Sequence, residues 1–162
     1  MSAIKSAFAQ FATGVAVVTA RCESDLIGMT ITSFNTVSID PPLVLFSVGH
    51  DRKCLPKLRA AGGFAINILS STQKHVSDAF AHYAPDQWSG VEVTTGPRGT
   101  PIVAAALAHF ECEPYAEYEG GDHVIVVGRV TNFGGEESGS PLLFFQKGYR
   151  QLEQPEARDS HA

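Results

Sequence analysis

The sequence lacks any apolar run long enough to cross a membrane. The longest runs, at 13–20 and 123–130, fall far short of the roughly 20 residues that a bilayer-spanning helix needs. The first eleven residues contain a single lysine and no long apolar core, which is not the pattern of a secretory signal. We therefore expect a cytoplasmic protein that does not associate with membranes.

Cysteine is also scarce, with three residues at Cys22, Cys54 and Cys112 and no CxxC pair. An odd number of cysteines argues against a disulfide framework, and their spacing does not fit a thiolate zinc site. The six histidines are scattered, and the sequence contains neither HExxH nor GxSxG. We expect free thiols and no metal site.

Positive charge is in the minority, with 12 Lys and Arg against 17 Asp and Glu and a formal net charge of −5. A general nucleic-acid binder needs a concentrated positive field, so we expect no nucleic-acid partner. The sequence also lacks GxGxxG and GxxxxGK[ST]. The glycine-rich motifs that usually bind dinucleotides and nucleoside triphosphates are therefore missing.

The first half of the chain is rich in strand signals. Apolar runs at 13–20 and 26–34 are rich in Val, Ile and Thr, and the polar segment 21–25 between them predicts a hairpin turn. The Asp-Pro-Pro triplet at 40–42 cannot lie inside a central strand, because proline has no N–H to donate. It therefore ends one element just before a buried strand at 43–48.

Two segments show helical spacing instead. The first helix is predicted over about 52–61, with Pro56 in its first turn, where proline is tolerated. The second is predicted within 70–84 and could be capped by Ser71 or Thr72. Between these helices, 64–69 reads as another strand.

The second half of the chain returns to strands. A turn-rich stretch at 85–101 precedes two strands at 106–119 and 122–134, and 141–150 is a last strand-like segment. The polar residues 151–162 are expected to form a frayed tail. About seven strands with two or three helices, mostly in strand–hairpin–strand order, predict a mainly β antiparallel barrel or sandwich.

Three segments could carry chemistry. Thr30, Thr32 and Ser33 place hydroxyl groups in a strand-like run, where they either face solvent or line a polar planar ligand. Arg52 and Lys53 stand at a predicted helix start, where cations oppose the helix dipole, and this favours an anionic partner.

The third segment is the Gly-Gly-Asp-His sequence at 120–123, which precedes the strand at 122–134. A single histidine is often structural. At a junction between a loop and a strand it could instead bond a carboxamide or a phosphate of a substrate. Both interpretations of His123 stay open on the residues alone.

Six segments, taken together and in order, resemble the flavin reductase components of two-component monooxygenases. They include the Asp-Pro-Pro and Gly-Asp-His signatures and lie at 11–20, 28–48, 64–81, 99–112, 120–130 and 141–150. The resemblance implies an FMN-binding split β-barrel of Greek-key order with two or three flanking helices, paired as a homodimer. The barrel domain would cover 1–150, and 151–162 would be the polar tail.

The resemblance also implies a function. The chain would be an NAD(P)H-dependent flavin reductase that supplies reduced FMN or FAD to a flavin-dependent monooxygenase, with NADH or NADPH as donor. Two alternatives remain on the same barrel: a non-catalytic FMN-binding module, and a flavoenzyme of the pyridoxamine-phosphate oxidase type.

The residues that the resemblance assigns to the site fall into three groups. Near the flavin ring and ribityl chain it places Met29, Thr30, Thr32, Ser33 and Ser47, and near the flavin phosphate it places Arg52 and Lys53. It places His123 near the nicotinamide, with Tyr149 and Arg150 close to the site. His123 is the candidate catalytic residue, expected to orient the nicotinamide. The chain departs from the family pattern where Arg52, Lys53 and Cys54 replace a Ser-x-Thr segment, so the phosphate would be held by side-chain charge and backbone N–H groups.

Overall fold

The computed structural model describes residues 2–136 and 138–153. Its helices and strands, in chain order, are α1 Ala3–Phe8, β1 Thr13–Gly14, β2 Ala16–Cys22, β3 Asp25–Ile31, β4 Asn35–Ser38, β5 Leu43–Gly49, α2 Leu55–Ala60, β6 Phe64–Ile68, α3 Lys74–Ala81, β7 Val93–Thr95, β8 Pro101–Val103, β9 Ala108–Gly120, β10 His123–Gly135, β11 Leu143–Phe145 and β12 Gly148–Arg150. Within this part of the chain, no helix is long and apolar enough to span a bilayer.

Seven strands form one antiparallel sheet in the order β3-β2-β6-β9-β10-β5-β4. The sheet has two edges, at β3 and β4, and is not closed into a complete barrel. A three-stranded sheet of β1, β11 and β12 and the hairpin β7–β8 lie beside it. The predicted split β-barrel with flanking helices is confirmed.

The main core fills the inside of the curved seven-stranded sheet. Phe46 and Phe64 meet there edge to face at 5.2 Å, and Leu55 and Leu58 of α2 pack against the same cluster. A second cluster lies on the outer face of β2, where Val17 contacts the side chains of α3. Strand β2 is thus buried on both faces, in agreement with five consecutive buried residues from Ala16 to Ala20.

The two predicted helices exist, but both are shorter than their patterns indicated. Helix α2 begins at Leu55, because residues 49–55 form two consecutive turns in which Gly49 and Arg52 accept backbone bonds. The predicted cap of α3 is wrong: its N-cap residue is Gln73, and no side chain caps the helix. Ser70 and Thr72 bond to each other instead, and Gln73 Oε1 accepts the Ser70 N–H.

Two hairpins lie in segments for which the sequence predicts only turns or a single strand. The stretch 85–101 was read as turns, yet it contains β7, which pairs with β8. The segment 141–150 was read as a single strand, but it reverses at Gln146 and Lys147, both of which have positive φ. The predicted frayed tail lies largely outside the described residues, and the domain boundary at 150 stays a prediction.

Candidate active site

A small polar cleft lies where the ends of β3, β5 and β10 meet the loop before α2. Its volume is about 190 Å³. It is lined by residues from four separate segments: Met29, Thr30, Ile31, Thr32, Ser33, Ser47, Val48, Gly49, Arg52 and His123. We call this the polar cleft. It contains seven of the residues that the sequence assigned to the site.

Two hydroxyl groups of the polar cleft are hydrogen-bonded within the chain, and that of Thr32 is not. Thr30 donates its hydroxyl to the Ser77 carbonyl at 2.7 Å, and Ser33 Oγ accepts the Ser47 N–H at 3.0 Å. The first bond joins β3 to α3, and the second joins the segment after β3 to β5. The exposed Thr32 hydroxyl has no partner among the described residues, so it is free to bond a ligand.

Arg52 supplies the positive charge of the cleft. It makes no ion pair with any carboxylate of the described chain, and its nearest polar contact is the Ala81 carbonyl at 3.4 Å. Helix α2 starts three residues later and carries Pro56 in its first turn, so it presents fewer free N–H groups than a regular helix start. An anion in this cleft would therefore rely chiefly on the guanidinium.

His123 stands at the first position of β10, directly opposite Gly49 of β5. Its Nδ1 lies 2.7 Å from Asp122 Oδ1, and this hydrogen bond with His123 lowers the pKa of the Asp122 carboxyl. With Nδ1 held by Asp122, the ring has a fixed orientation and leaves Nε2 for another partner. The side chain is about half exposed, at 48%, so a ligand in the cleft can reach it.

Three predicted site residues are not among those that line the polar cleft. Lys53 lies in a separate pocket, with its ammonium 5.9 Å from the centre of the Tyr83 ring. Tyr149 bonds Ser77 Oγ at 2.8 Å and Asp78 Oδ1 at 2.9 Å. Both partners belong to α3, the helix whose Ser77 carbonyl accepts the Thr30 hydroxyl. Burial raises the pKa of the Tyr149 hydroxyl.

Arg150 completes this second group. Its guanidinium turns back to the Tyr149 carbonyl at 2.9 Å, on the exposed end of β12. Tyr149 and Arg150 thus do not line the cleft within one subunit, and their place close to the site stays a prediction.

An apolar groove of about 640 Å³ opens from the polar cleft and shares Thr32 and Ser33 with it. Phe34 and Phe110 lie in this groove with their rings stacked, 5.7 Å apart and inclined by 12°. The sequence interpretation did not single out either aromatic residue, because they are distant in sequence and only the fold brings them together. A flat apolar ring could lie in this groove while an anionic end reaches Arg52.

A split barrel with these two joined cavities has room for a planar ligand that carries a negative charge. The chain belongs to the flavin reductase like domain family, which it matches over residues 8–153. The predicted family is thereby confirmed.

Named relatives agree with this family. A probable flavin reductase of Rhizobium meliloti is 44% identical over 147 residues, covering 90% of this chain and 47% of that protein. The reductase component of the 4-hydroxyphenylacetate 3-monooxygenase of Thermus thermophilus is 42% identical and is matched over 97% of its length, with 94% of this chain covered. The chain thus spans about half the length of the first relative and nearly all of the second.

Solved structures show the same likeness. The NADH:FAD oxidoreductase SgcE6 of Streptomyces globisporus is 37% identical and superposes with a TM-score of 0.88. The match covers 93% of this chain and 92% of the Streptomyces chain. The split-barrel architecture is therefore common to both proteins.

Proposed function

We propose that this protein oxidises NADH or NADPH, reduces FMN or FAD, and supplies the reduced flavin to a flavin-dependent monooxygenase. The single observation that carries the proposal is the junction of the polar cleft and the apolar groove at Thr32 and Ser33. The names of two relatives support it, since one is a monooxygenase reductase component and the other an NADH:FAD oxidoreductase.

The described residues fit a flavin. The apolar groove, with Phe34 and Phe110, suits the faces of an isoalloxazine ring. The Thr32 hydroxyl, which has no partner in the described chain, would bond the polar edge of the ring. The Arg52 guanidinium, which forms no ion pair there, would bind the phosphate at the far end of the ribityl chain. Met29 and Ser47 line the cleft between them.

When bound together, the two cofactors supply the redox chemistry, a hydride passing from nicotinamide C4 to flavin N5 with its two electrons. The chain has to hold the two rings in contact and keep water away from the reacting atoms. Backbone N–H groups near Thr32 and Ser33 would stabilise the negative charge that develops on the flavin.

We assign His123 an orienting role. Asp122 fixes the imidazole through Nδ1, so that Nε2 is left to bond the nicotinamide carboxamide or a phosphate of the donor. A proton-transferring group is not required for hydride transfer, and His123 therefore acts by position.

The homodimer is also part of the proposal. Phe11 lines the apolar groove and is 78% exposed, and Ile39, just after edge strand β4, is 90% exposed. Large exposed apolar side chains beside a groove are typical of an interface with a second copy. We also propose a cytoplasmic location. The three cysteines are free thiols, as is usual for proteins of a reducing compartment.

The proposal is tested by steady-state consumption of NADH and of NADPH with FMN, FAD or riboflavin as acceptor. A reductase consumes the donor continuously as long as oxidised flavin is supplied. A non-catalytic flavin-binding module would bind the flavin without consuming either donor. An oxidase of the pyridoxamine-phosphate type would turn over its amine substrate in the absence of a nicotinamide.

A further inference from the structure

The loop that carries Arg52 into the polar cleft is bonded to the β9–β10 hairpin through one residue, His50. We call residues 50–54, between β5 and α2, the arginine loop. The His50 N–H donates to the Asp122 carbonyl at 3.1 Å, and His50 Nε2 lies 3.1 Å from Glu119 Oε2. Among the described residues, no other member of the loop bonds that hairpin. None of the roles assigned above uses His50.

The side-chain bond of His50 has one acceptor, the Glu119 carboxylate of β9. A carboxylate oxygen only accepts hydrogen bonds, so Nε2 carries the hydrogen and donates it. Arg59, whose charge also acts on Glu119, forms its own ion pair with Glu117 at 2.8 Å. The imidazole therefore joins the arginine loop to β9, while the backbone bond joins it to the turn before β10.

The arginine loop determines which charge lies above Gly49, the last residue of β5. A Cβ at Gly49 would lie 3.8 Å from Arg52 Cγ and 3.8 Å from His123 Nε2. Asp51 Oδ1 lies 2.7 Å from the same position. The loop thus carries a negative and a positive charge in succession at this point. Which of the two an anion meets depends on how the loop is held.

Arg52 has few other restraints. Its guanidinium makes a long hydrogen bond of 3.4 Å with the Ala81 carbonyl, and its N–H bonds the Gly49 carbonyl within the same turn at 3.0 Å. The loop is not part of a helix, since α2 begins only at Leu55. The two bonds of His50 are therefore the polar restraint on the side of the loop toward the β9–β10 hairpin.

We propose that His50 is a positioning residue. Its bond with Glu119 holds the arginine loop so that Arg52, and not Asp51, is presented to the phosphate of a flavin in the polar cleft. This inference rests on the proposed function, which puts that phosphate beside Arg52. Selectivity for phosphorylated flavins then depends on His50 and Glu119, although neither side chain lines the cleft.

The test compares FMN with riboflavin in fluorescence titrations of the purified full chain, for the wild type, His50→Ala and Glu119→Ala. We expect both variants to weaken FMN about two- to fivefold, the range for loss of an exposed ion pair. Riboflavin should bind as before, because it has no phosphate. The two side chains are 40% and 78% exposed, so the temperature of thermal unfolding should change little.

Two further variants separate positioning from a general structural role. His50→Gln keeps a nitrogen that can donate to Glu119, so FMN affinity should return to that of the wild type. A double-mutant cycle tests whether His50 acts through Arg52. Once Arg52 is replaced by alanine, adding His50→Ala should change FMN affinity no further, since both residues act on one phosphate.

Glu117→Ala is the matched control. Glu117 lies two residues before Glu119 on β9 and loses an ion pair with Arg59 instead. Neither Glu117 nor Arg59 lines the polar cleft. This variant should bind FMN and riboflavin as the wild type does.

The inference is overturned if His50→Ala and Glu119→Ala bind FMN as the wild type does, or if they weaken FMN and riboflavin equally. It is also overturned if His50→Gln is as weak as His50→Ala, or if the losses from Arg52→Ala and His50→Ala simply add. Each of these results leaves flavin reduction by the wild type intact. Failure of the proposed function looks different, because the wild type would then consume neither NADH nor NADPH with any flavin.

Discussion

Some residues of the polar cleft stabilise its wall through hydrogen bonds, and others are expected to contact a ligand. The hydroxyl of Thr30 and that of Ser33 are committed to backbone groups of α3 and β5. Thr32 has no such bond in the described chain, and Arg52 makes only a 3.4 Å contact with the Ala81 carbonyl; both line the cavity. The first pair therefore sets the shape of the site, and the second pair is expected to set its affinity.

Replacing Arg52 with alanine should weaken FMN by about 1.5–3 kcal/mol, or roughly tenfold to a hundredfold, because a charge-assisted bond to the phosphate is lost. Riboflavin, which has no phosphate, should bind as before. Fluorescence titration of both flavins gives the comparison. Arg21→Ala, which removes an exposed arginine contacting the Gly99 carbonyl, is the control. Equal losses for FMN and riboflavin would show that Arg52 does not contact the phosphate.

His123→Ala should raise the KM for NADH or NADPH while leaving flavin affinity unchanged. A loss in kcat/KM of about tenfold to a hundredfold, or roughly 1.4–2.8 kcal/mol, is expected for an orienting group. Flavin titration and donor kinetics on one folded preparation provide the measurement. Unchanged donor kinetics in a stable variant would remove His123 from the site.

Asp122→Asn tests how His123 is held. The hydrogen bond with His123 lowers the pKa of Asp122, so the pair stabilises the fold fully above the ordinary carboxyl pKa and loses this contribution as the pH falls through the lowered value. Thermal unfolding of the wild type and of Asp122→Asn should therefore differ most near neutral pH and converge in strong acid. A difference that grows as the pH falls would contradict this linkage.

Much of the site could be predicted because it follows local patterns. The sequence marks Thr30 and Thr32 as hydroxyls in a strand-like run, although β3 ends at Ile31, and it marks His123 as a residue at the beginning of a strand. Phe34 and Phe110 could not be recognised in this way, since their stacking depends on the strand order of the whole sheet.

At the scale of elements, the packing of α3 on β3 sets the back wall of the cleft. Gly28 of β3 lies directly under Phe80 of α3, and a Cβ there would come within 2.3 Å of the Phe80 ring. The absence of a side chain at Gly28 thus lets the helix approach closely enough for Thr30 to reach Ser77. The same helix receives Tyr149 of β12.

Gly28→Ala should therefore destabilise the protein by about 1–3 kcal/mol through overpacking. It should also weaken flavin binding, because moving α3 breaks the bond from Thr30. Urea denaturation measures the first effect and flavin titration the second. Gly14→Ala, where a Cβ would meet no atom within 4 Å, is the matched control for stability. Equal stability of the two variants would mean that α3 adjusts at little cost.

The elements themselves were predicted unevenly for physical reasons. The hairpin of β9 and β10 carries strong signals, with long alternating strands and Gly121 at positive φ in the turn. The reversal at Gln146 and Lys147 was missed because it uses neither glycine nor asparagine at its positive φ positions. Tertiary contacts impose it, since β11 pairs with β1 from the other end of the chain.

At the scale of the whole molecule, the open sheet and its exposed apolar residues point to a second copy. Edge strand β4 is four residues long, and Ile39 follows it with 90% of its surface exposed. An exposed edge beside apolar side chains is a surface that a partner would cover. The apolar groove opens on Phe11, which is also exposed.

Sedimentation at micromolar concentration should therefore give about twice the 17.3 kDa chain mass. Ile39→Glu should shift the protein toward the monomer without unfolding it, because the side chain is exposed within one subunit. Val93→Glu, at an exposed position of β7, serves as a control for added charge. A wild type that sediments as a monomer and still reduces flavin would refute the dimer.

The central claim is that this chain passes electrons from a nicotinamide donor to a flavin. It is tested most directly by mixing the purified protein with FMN or FAD and NADH without oxygen, and following the visible absorbance of the oxidised flavin. We predict that the absorbance disappears with one NADH oxidised for each flavin reduced, and that Arg52→Ala slows FMN far more than riboflavin. Flavin that binds but stays oxidised in the presence of either NADH or NADPH would contradict the account.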